Sequence, residues 1–295
     1  MKSKVYFTKQ VDAEGLLRLY KALGFTLKGN VAVKLHSGEK GNQNFVKPEF
    51  VRPIIEHISG TVVECNTAYE GARNTTDKHI ELMKYHGWTK YFRVDILDAK
   101  EDLEFTIPNG KRIKKNIVGK DIQKYDSMLV LSHFKGHPMG GFGGAIKQLS
   151  IGCASSSGKA YIHTAGVTQD QTILWDNVAK QDDFLEAMAD AALSVVEFFK
   201  GNIVYINMLV NLSVDCDCCA VAEDPCMRDI GMMISLDPLA IDQASIDMVY
   251  QSKDRGRDHF VARVERQHGL HTLEAAEEIG LGFREYELIT IDYKL

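Results

Sequence analysis

The sequence has little of most features that would assign it at a glance. Cysteine is sparse, six in 295 residues, too few for the disulfide framework of a small secreted domain. Proline is equally sparse, with six in all, and no Pro- or Ser-rich tract, internal repeat or low-complexity segment interrupts the chain. Charge of one sign is missing too. The 35 Lys and Arg stand against 40 Asp and Glu, a net of −5, which removes the electrostatic pull of a nucleic-acid or membrane-surface binder. No stretch approaches the ~18 apolar residues of a membrane span, and the first ten residues lack the apolar core of a signal peptide. The expectation is a cytoplasmic protein whose partner is a small molecule, not nucleic acid or membrane; pattern alone does not address its oligomeric state.

Familiar catalytic signatures are absent as well. There is no His-Glu-x-x-His and no Gly-x-Ser-x-Gly. Lys147 is neither preceded by Gly nor followed by Ser or Thr, and Gly141-Phe142-Gly143 is not completed by a glycine at position 146, so no standard nucleotide loop is present.

What is there is a repeating alternation of short β-branched runs and helical periods, which predicts an α/β fold with a mixed or mostly parallel sheet covered by helices. The reading is one domain over 1–295, with two lobes meeting near residue 125 as the variant. Val31–Leu35 and Thr61–Glu64 read as strands around a helix opened by Pro48. Phe105–Ile117 reads as a hairpin turning at Asn109-Gly110. Ser127–Ser132 is a buried strand feeding a glycine-rich loop from Gly136 to Gly144. Phe184, Leu185, Met188, Ala191, Ala192, Val195, Val196 and Phe199 repeat at helical spacing. Strands over 202–211 and 230–235, a helix capped by Asp237 before Pro238, a helix over 272–279 and a strand over 286–291 complete the pattern.

Candidate chemistry concentrates in the loop. It leaves the carboxyl end of a strand, where open α/β sheets place ligands, and its glycines allow close backbone approach while the next helix offers amides to an anion. His133, His137 and Lys147 lie in or beside it, and His163 returns to the same mouth if residues 160–163 are extended. A second cluster is Cys216, Cys218, Cys219 and Cys226, four thiols within eleven positions beside Asp215 and Asp217. Thiolates at that density chelate soft metals, although the spacing matches neither a zinc ribbon nor a ferredoxin site; small buried thiols are the plain alternative. Lys34 and His36 end the first strand, and Glu64, Asn66, Thr67, Glu70 and Arg73 follow the second, so all can face the crevice. Asp242 and Asp247 read as capping or solvated residues.

Several blocks together resemble domain-of-unknown-function family 362. They are Gly143-Gly144-Ala145-Ile146-Lys147-Gln148-Leu149 through Gly152-Cys153-Ala154-Ser155, then Gly158-Lys159 and His163, Asp215-Cys216-Asp217-Cys218, and Asp229-Ile230-Gly231 through Asp237–Ala244. Many members of that family carry a two-cluster iron–sulfur insertion after the position of His163; Thr164–Asp183 here contains no Cys. A more distant likeness is to the nickel-pincer lactate racemases, whose His, Gly-Gly-x-Lys loop and second His are similar to His137, Gly143-Gly144-Ala145-Ile146-Lys147 and His163, spaced by ten and sixteen residues. Here one extra residue separates the glycine pair from Lys147.

The resemblance implies a metal-dependent site, with His133 or His137 and His163 as ligands or acid–base groups and Lys147 binding a small carboxylate or a cofactor. His137, Lys147 and His163 are then the catalytic candidates, and Gly143, Gly144, Lys34 and Asn66 the substrate-binding ones. The metal is a transition ion, nickel, zinc or iron, or an iron–sulfur cluster on Cys216, Cys218, Cys219 and Cys226. A protonated lysine is repelled by a metal cation, so Lys147 is expected to be deprotonated, covalently used, or turned toward an anion. Two alternatives belong to other classes: a non-catalytic iron–sulfur or metal carrier using the four cysteines, and an anion module in which the loop amides and Lys147 hold phosphate or carboxylate.

Overall fold

The structure is a computed structural model describing residues 2–292. Strand β1 (Ser3–Thr8) leads to helix α1 (Ala13–Leu23), an element the periodicity reading passed over. Its ends are nonetheless written locally: Asp12 accepts the Gly15 amide at the start, and Gly24 closes the end at φ 68°. Then come β2 (Val31–Lys34), α2 (Pro48–His57), β3 (Thr61–Glu64), α3 (Thr76–Tyr85), the single turn α4 (Trp88–Tyr91) and β4 (Val94–Ile96). Strands β5 (Asp102–Thr106) and β6 (Lys115–Gly119) form the expected hairpin as a separate two-stranded sheet.

The chain continues through β7 (Ser127–His133), β8 (Lys135–His137), β9 (Gly141–Gly143), α5 (Ala145–Cys153), α6 (Ser156–His163) and α7 (Gln181–Phe199). It ends with β10 (Ile203–Leu209), β11 (Gly231–Ser235), α8 (Pro238–Gln251), α9 (Arg257–Arg266), α10 (His271–Glu278) and β12 (Tyr286–Thr290). Asp237 caps α8 by accepting the Leu239 and Ala240 amides, as its place before Pro238 suggests.

Eight strands make one mixed, mostly parallel sheet in the order β12-β1-β11-β10-β7-β2-β3-β4. Only β11 runs against its neighbours, β1 and β10. Strands from before and after residue 125 interleave in this sheet. Both faces are covered, so β2, β7, β10 and β11 are buried along their whole length. In β7, Met128 and Val130 join a core under α5, α7 and α8, while Leu129 and Leu131 join the core under α1 and α2.

Two local expectations are corrected. Residues 160–163 are not extended but close α6, because Ser155 accepts the Gly158 amide and starts a helix ahead of them. The glycine-rich stretch is not an open loop: β8 and β9 pair antiparallel, Lys135 against Gly143 and His137 against Gly141, with Gly141 at φ 77°. Gly136 must lack a side chain there, since a Cβ would lie 2.3 Å from the Val214 carbonyl oxygen.

Candidate functional site

A cavity of about 200 Å³ opens beyond the carboxyl ends of β2, β3 and β7, roofed by α5, α6 and the 164–180 segment. The ends of β2 and β3 and the residues just after them contribute Lys34, His36, Glu64 and Cys65; the β8–β9 hairpin contributes His137, Pro138 and Met139; the two helices bring Lys147, Lys159 and His163. Thus His137, Lys147 and His163, far apart in sequence, line one hollow.

The two imidazoles are held in opposite tautomers. His137 Nδ1 accepts the Met139 amide at 3.1 Å and the Gly140 amide at 2.8 Å, so the proton of the neutral ring resides on Nε2. The ring is also hydrogen-bonded to Cys216. His163 Nδ1 instead donates to the Lys159 carbonyl at 2.7 Å, leaving Nε2 with a free lone pair. Its ring stacks on Phe184 at 4.9 Å. Burial, assisted by the Lys147 charge, pushes His137 down to about 4, and burial pushes His163 to about 4. Both are therefore neutral near pH 7.

The cations differ in their partners. Lys34 is 1% exposed, donates to the Leu35 carbonyl at 2.6 Å and lies 3.5 Å from Glu64. Although burial opposes it, Lys34 holds Glu64 well below the usual carboxylate range. Arg73 pairs with Glu39 at 3.1 Å. Lys147, half-buried, has no hydrogen-bond or ion-pair partner among the described residues. Lys159, which pattern reading missed as a separate site residue, is 7% exposed and reaches one acceptor, the Ala154 carbonyl at 2.6 Å; burial lowers its pKa.

Other candidates lie elsewhere or are engaged otherwise. His133 Nδ1 lies 2.9 Å from Asp217 and Nε2 lies 2.7 Å from the Val210 carbonyl, so neither nitrogen is free for a metal. Lys135 completes that buried cluster, 3.1 Å from Asp217. Asn66 does not line the cavity; it bonds Thr76 and His79. Of the thiols, Cys216 and Cys218 gather with His137, their ligand atoms all within 4.8 Å of one another. Among the described residues Cys219 and Cys226 stand outside that group, and Cys226 donates to the Leu212 carbonyl. Four thiols thus do not converge as an iron–sulfur cluster requires.

The helix N-terminus expected to receive a ligand anion is filled by the protein itself. Asp242, buried on α8, accepts the Ala145 amide at 2.7 Å and the Ile146 amide at 2.9 Å, and Asn207 donates to it at 2.8 Å. It is neither solvated nor a cap of its own helix. Gly144 is required for this approach, because a Cβ there would lie 2.2 Å from Asp242 Oδ1. Gly143 and Gly144 accordingly shape the hairpin and the helix start and do not line the cavity. The anion-module reading loses its amides, and Lys147 remains.

The fold and site together define an α/β protein with a small cavity at the carboxyl edge of its sheet, largely apolar in surface and set with charged and imidazole side chains. The family model described as domain of unknown function, DUF362, matches residues 31–247, and the chain belongs to that family. No curated protein matches. Among solved structures, the chain is similar to the lactate racemase apoprotein from Thermoanaerobacterium thermosaccharolyticum, at 15% identity and a TM-score of 0.41 over 70% of this chain and 50% of that one. It is also similar to a protein from Thermotoga maritima, at 11% identity and a TM-score of 0.43 over 90% of this chain and 58% of that one. The chain spans about half the length of either. Among the described residues no helix is long and apolar enough to cross a membrane.

Proposed function

We propose that the chain is an enzyme that moves a proton on a small carboxylate-type molecule bound in the cavity, with His163 taking the proton and returning it, His137 as a neutral hydrogen-bond donor and Lys147 facing the anion. The observation that carries this reading is the pair of neutral imidazoles in opposite tautomers on one hollow. One carries an N–H, shared with Cys216, that can polarise a bound oxygen by hydrogen bonding, and the other a lone pair that can take a proton from carbon and return it. An amine without an acid partner supplies the positive charge that a bound carboxylate requires.

A soft transition metal, nickel, zinc or iron, is supported in donor type by Cys216 and Cys218. The imidazole beside them fits poorly. A metal-bound histidine ordinarily donates through its second nitrogen, whereas His137 accepts two amides there, so its proton occupies the nitrogen that a metal would need. His137 joins such a site only by losing those bonds, and no step proposed here runs through a metal.

Proton NMR in D2O with a panel of small 2-substituted carboxylates tests the reading. The expected result is protein-dependent exchange at carbon, slowed about 100-fold or more in His163→Gln. A carboxylate that binds without any exchange overturns the acid–base assignment.

A further inference from the structure

The cavity carries an excess of positive charge. Of its four lining cations, Lys34 and Arg73 are matched by Glu64 and Glu39, with all four side chains buried. Lys147 and Lys159 have no carboxylate at ion-pair distance among the described residues. Lys159 is the more telling of the two. Its ammonium is buried, lines the cavity and has a single carbonyl as acceptor. Of the acidic groups that act on it, the Cys65 thiol comes first and is itself pushed up by burial, and the nearest carboxylate in effect, Asp98, is hydrogen-bonded to the Asn66 and Ser156 amides.

The histidines do not alter the balance. Burial keeps His36, His137 and His163 in their neutral forms. Much of the remaining wall, with Ala68, Met139, Ile151 and Leu174, is apolar, and Thr67, Tyr69 and Gln148 add neutral polar groups but no charge. Ammonium groups facing such a space are costly unless something of opposite charge enters with them. His163 feels both amines, and its Nδ1 is bonded to the Lys159 carbonyl, so the two charges flank the proposed proton acceptor.

We infer that the natural ligand carries two negative charges, one answering Lys147 and one answering Lys159, as a small dicarboxylate or a phosphomonoester does. This rests on the anionic-substrate reading above and narrows it, because a simple monocarboxylate leaves one buried amine unmatched.

Calorimetric titration of the full chain with propionate, succinate and methyl phosphate at low and high salt tests it. A dianion is expected to bind about tenfold tighter than propionate at low salt, with the advantage shrinking as salt rises. Lys159→Met is expected to abolish that advantage while leaving propionate binding within about twofold. Preference for succinate assigns the charges to two carboxylates, and preference for methyl phosphate assigns them to one group. Equal affinity for propionate and both dianions in the unaltered protein overturns the inference and leaves the anionic reading standing. Absence of binding by all three overturns both. If Lys159→Met fails to fold by circular dichroism, the affinity ratio and its salt dependence in the unaltered protein decide alone.

Discussion

Asp242 accepts the Ala145 amide at 2.7 Å across 97 residues of sequence, and in doing so sets the start of the helix that carries Lys147. The helix dipole favours an anion at that point, and this protein supplies one from its own chain. Lys147 therefore works from a fixed platform, with the amides behind it already satisfied.

Removing that carboxylate has a defined cost. Asp242→Ala leaves the Ala145 and Ile146 amides and the Asn207 side-chain donor without their shared acceptor, and is expected to lower stability by about 2–4 kcal/mol. The pH dependence has a sign of its own. Burial pushes Asp242 up to about 6, so between pH 4 and 6 the native state keeps a proton that the unfolded chain has released. Stability from this group thus falls as pH rises through that window, by about 3 kcal/mol at most. Urea unfolding across this range should show the fall in the unaltered protein and its absence in Asp242→Asn; identical profiles contradict the assignment.

Neighbouring glycines should respond unequally. A Cβ at Gly144 meets Asp242 Oδ1 at 2.2 Å, whereas one at Gly143 meets the flexible side chains of Lys147, at 3.3 Å, and Lys135, at 3.9 Å. Gly144→Ala is expected to cost about 2–3 kcal/mol and Gly143→Ala under about 1 kcal/mol, measured by denaturant midpoint. Equal costs would mean that the Asp242 contact does not govern the hairpin exit.

Metal content separates the thiols. Elemental analysis of anaerobically purified protein, or cobalt titration followed by thiolate absorbance, is expected to depend on Cys216 and Cys218. Cys226→Ser should leave either signal unchanged, since that thiol bonds a carbonyl away from the group. Loss of signal in Cys226→Ser instead restores the four-thiol carrier.

Much of the architecture is legible in the chain. The β2–α2–β3 unit follows from Val31–Leu35, Pro48 and Thr61–Glu64, and α7 from its apolar period. What escapes pattern is local competition and distant contact. Tyr161-Ile162 suits a strand, but Ser155 caps a helix that overrides it. α1 carries its cap signals in Asp12 and Gly24, yet its apolar spacing over eleven residues is short. In the site, Gly-rich composition marks the right place and the wrong mechanism: the amides there bond His137 and Asp242. Nothing in spacing distinguishes His133, held by Asp217, from His137, facing the cavity, because the partner lies 84 residues away. Lys159 has one available signal, a lysine set among Gly158, Ala160 and Ile162 on a buried helix face.

The acid–base account stands or falls on where two protons sit. Nitrogen-15 NMR of the histidine rings reads this directly across a pH titration. At pH 7 His137 should carry its proton on Nε2 and His163 on Nδ1, with both rings charging only as pH falls toward about 4. Each loses stability to the protonated unfolded chain as pH drops below about 6.5, so Gln at His163 should flatten that limb of the stability curve. The same tautomer at both rings, or protonation near pH 6.5, contradicts the account.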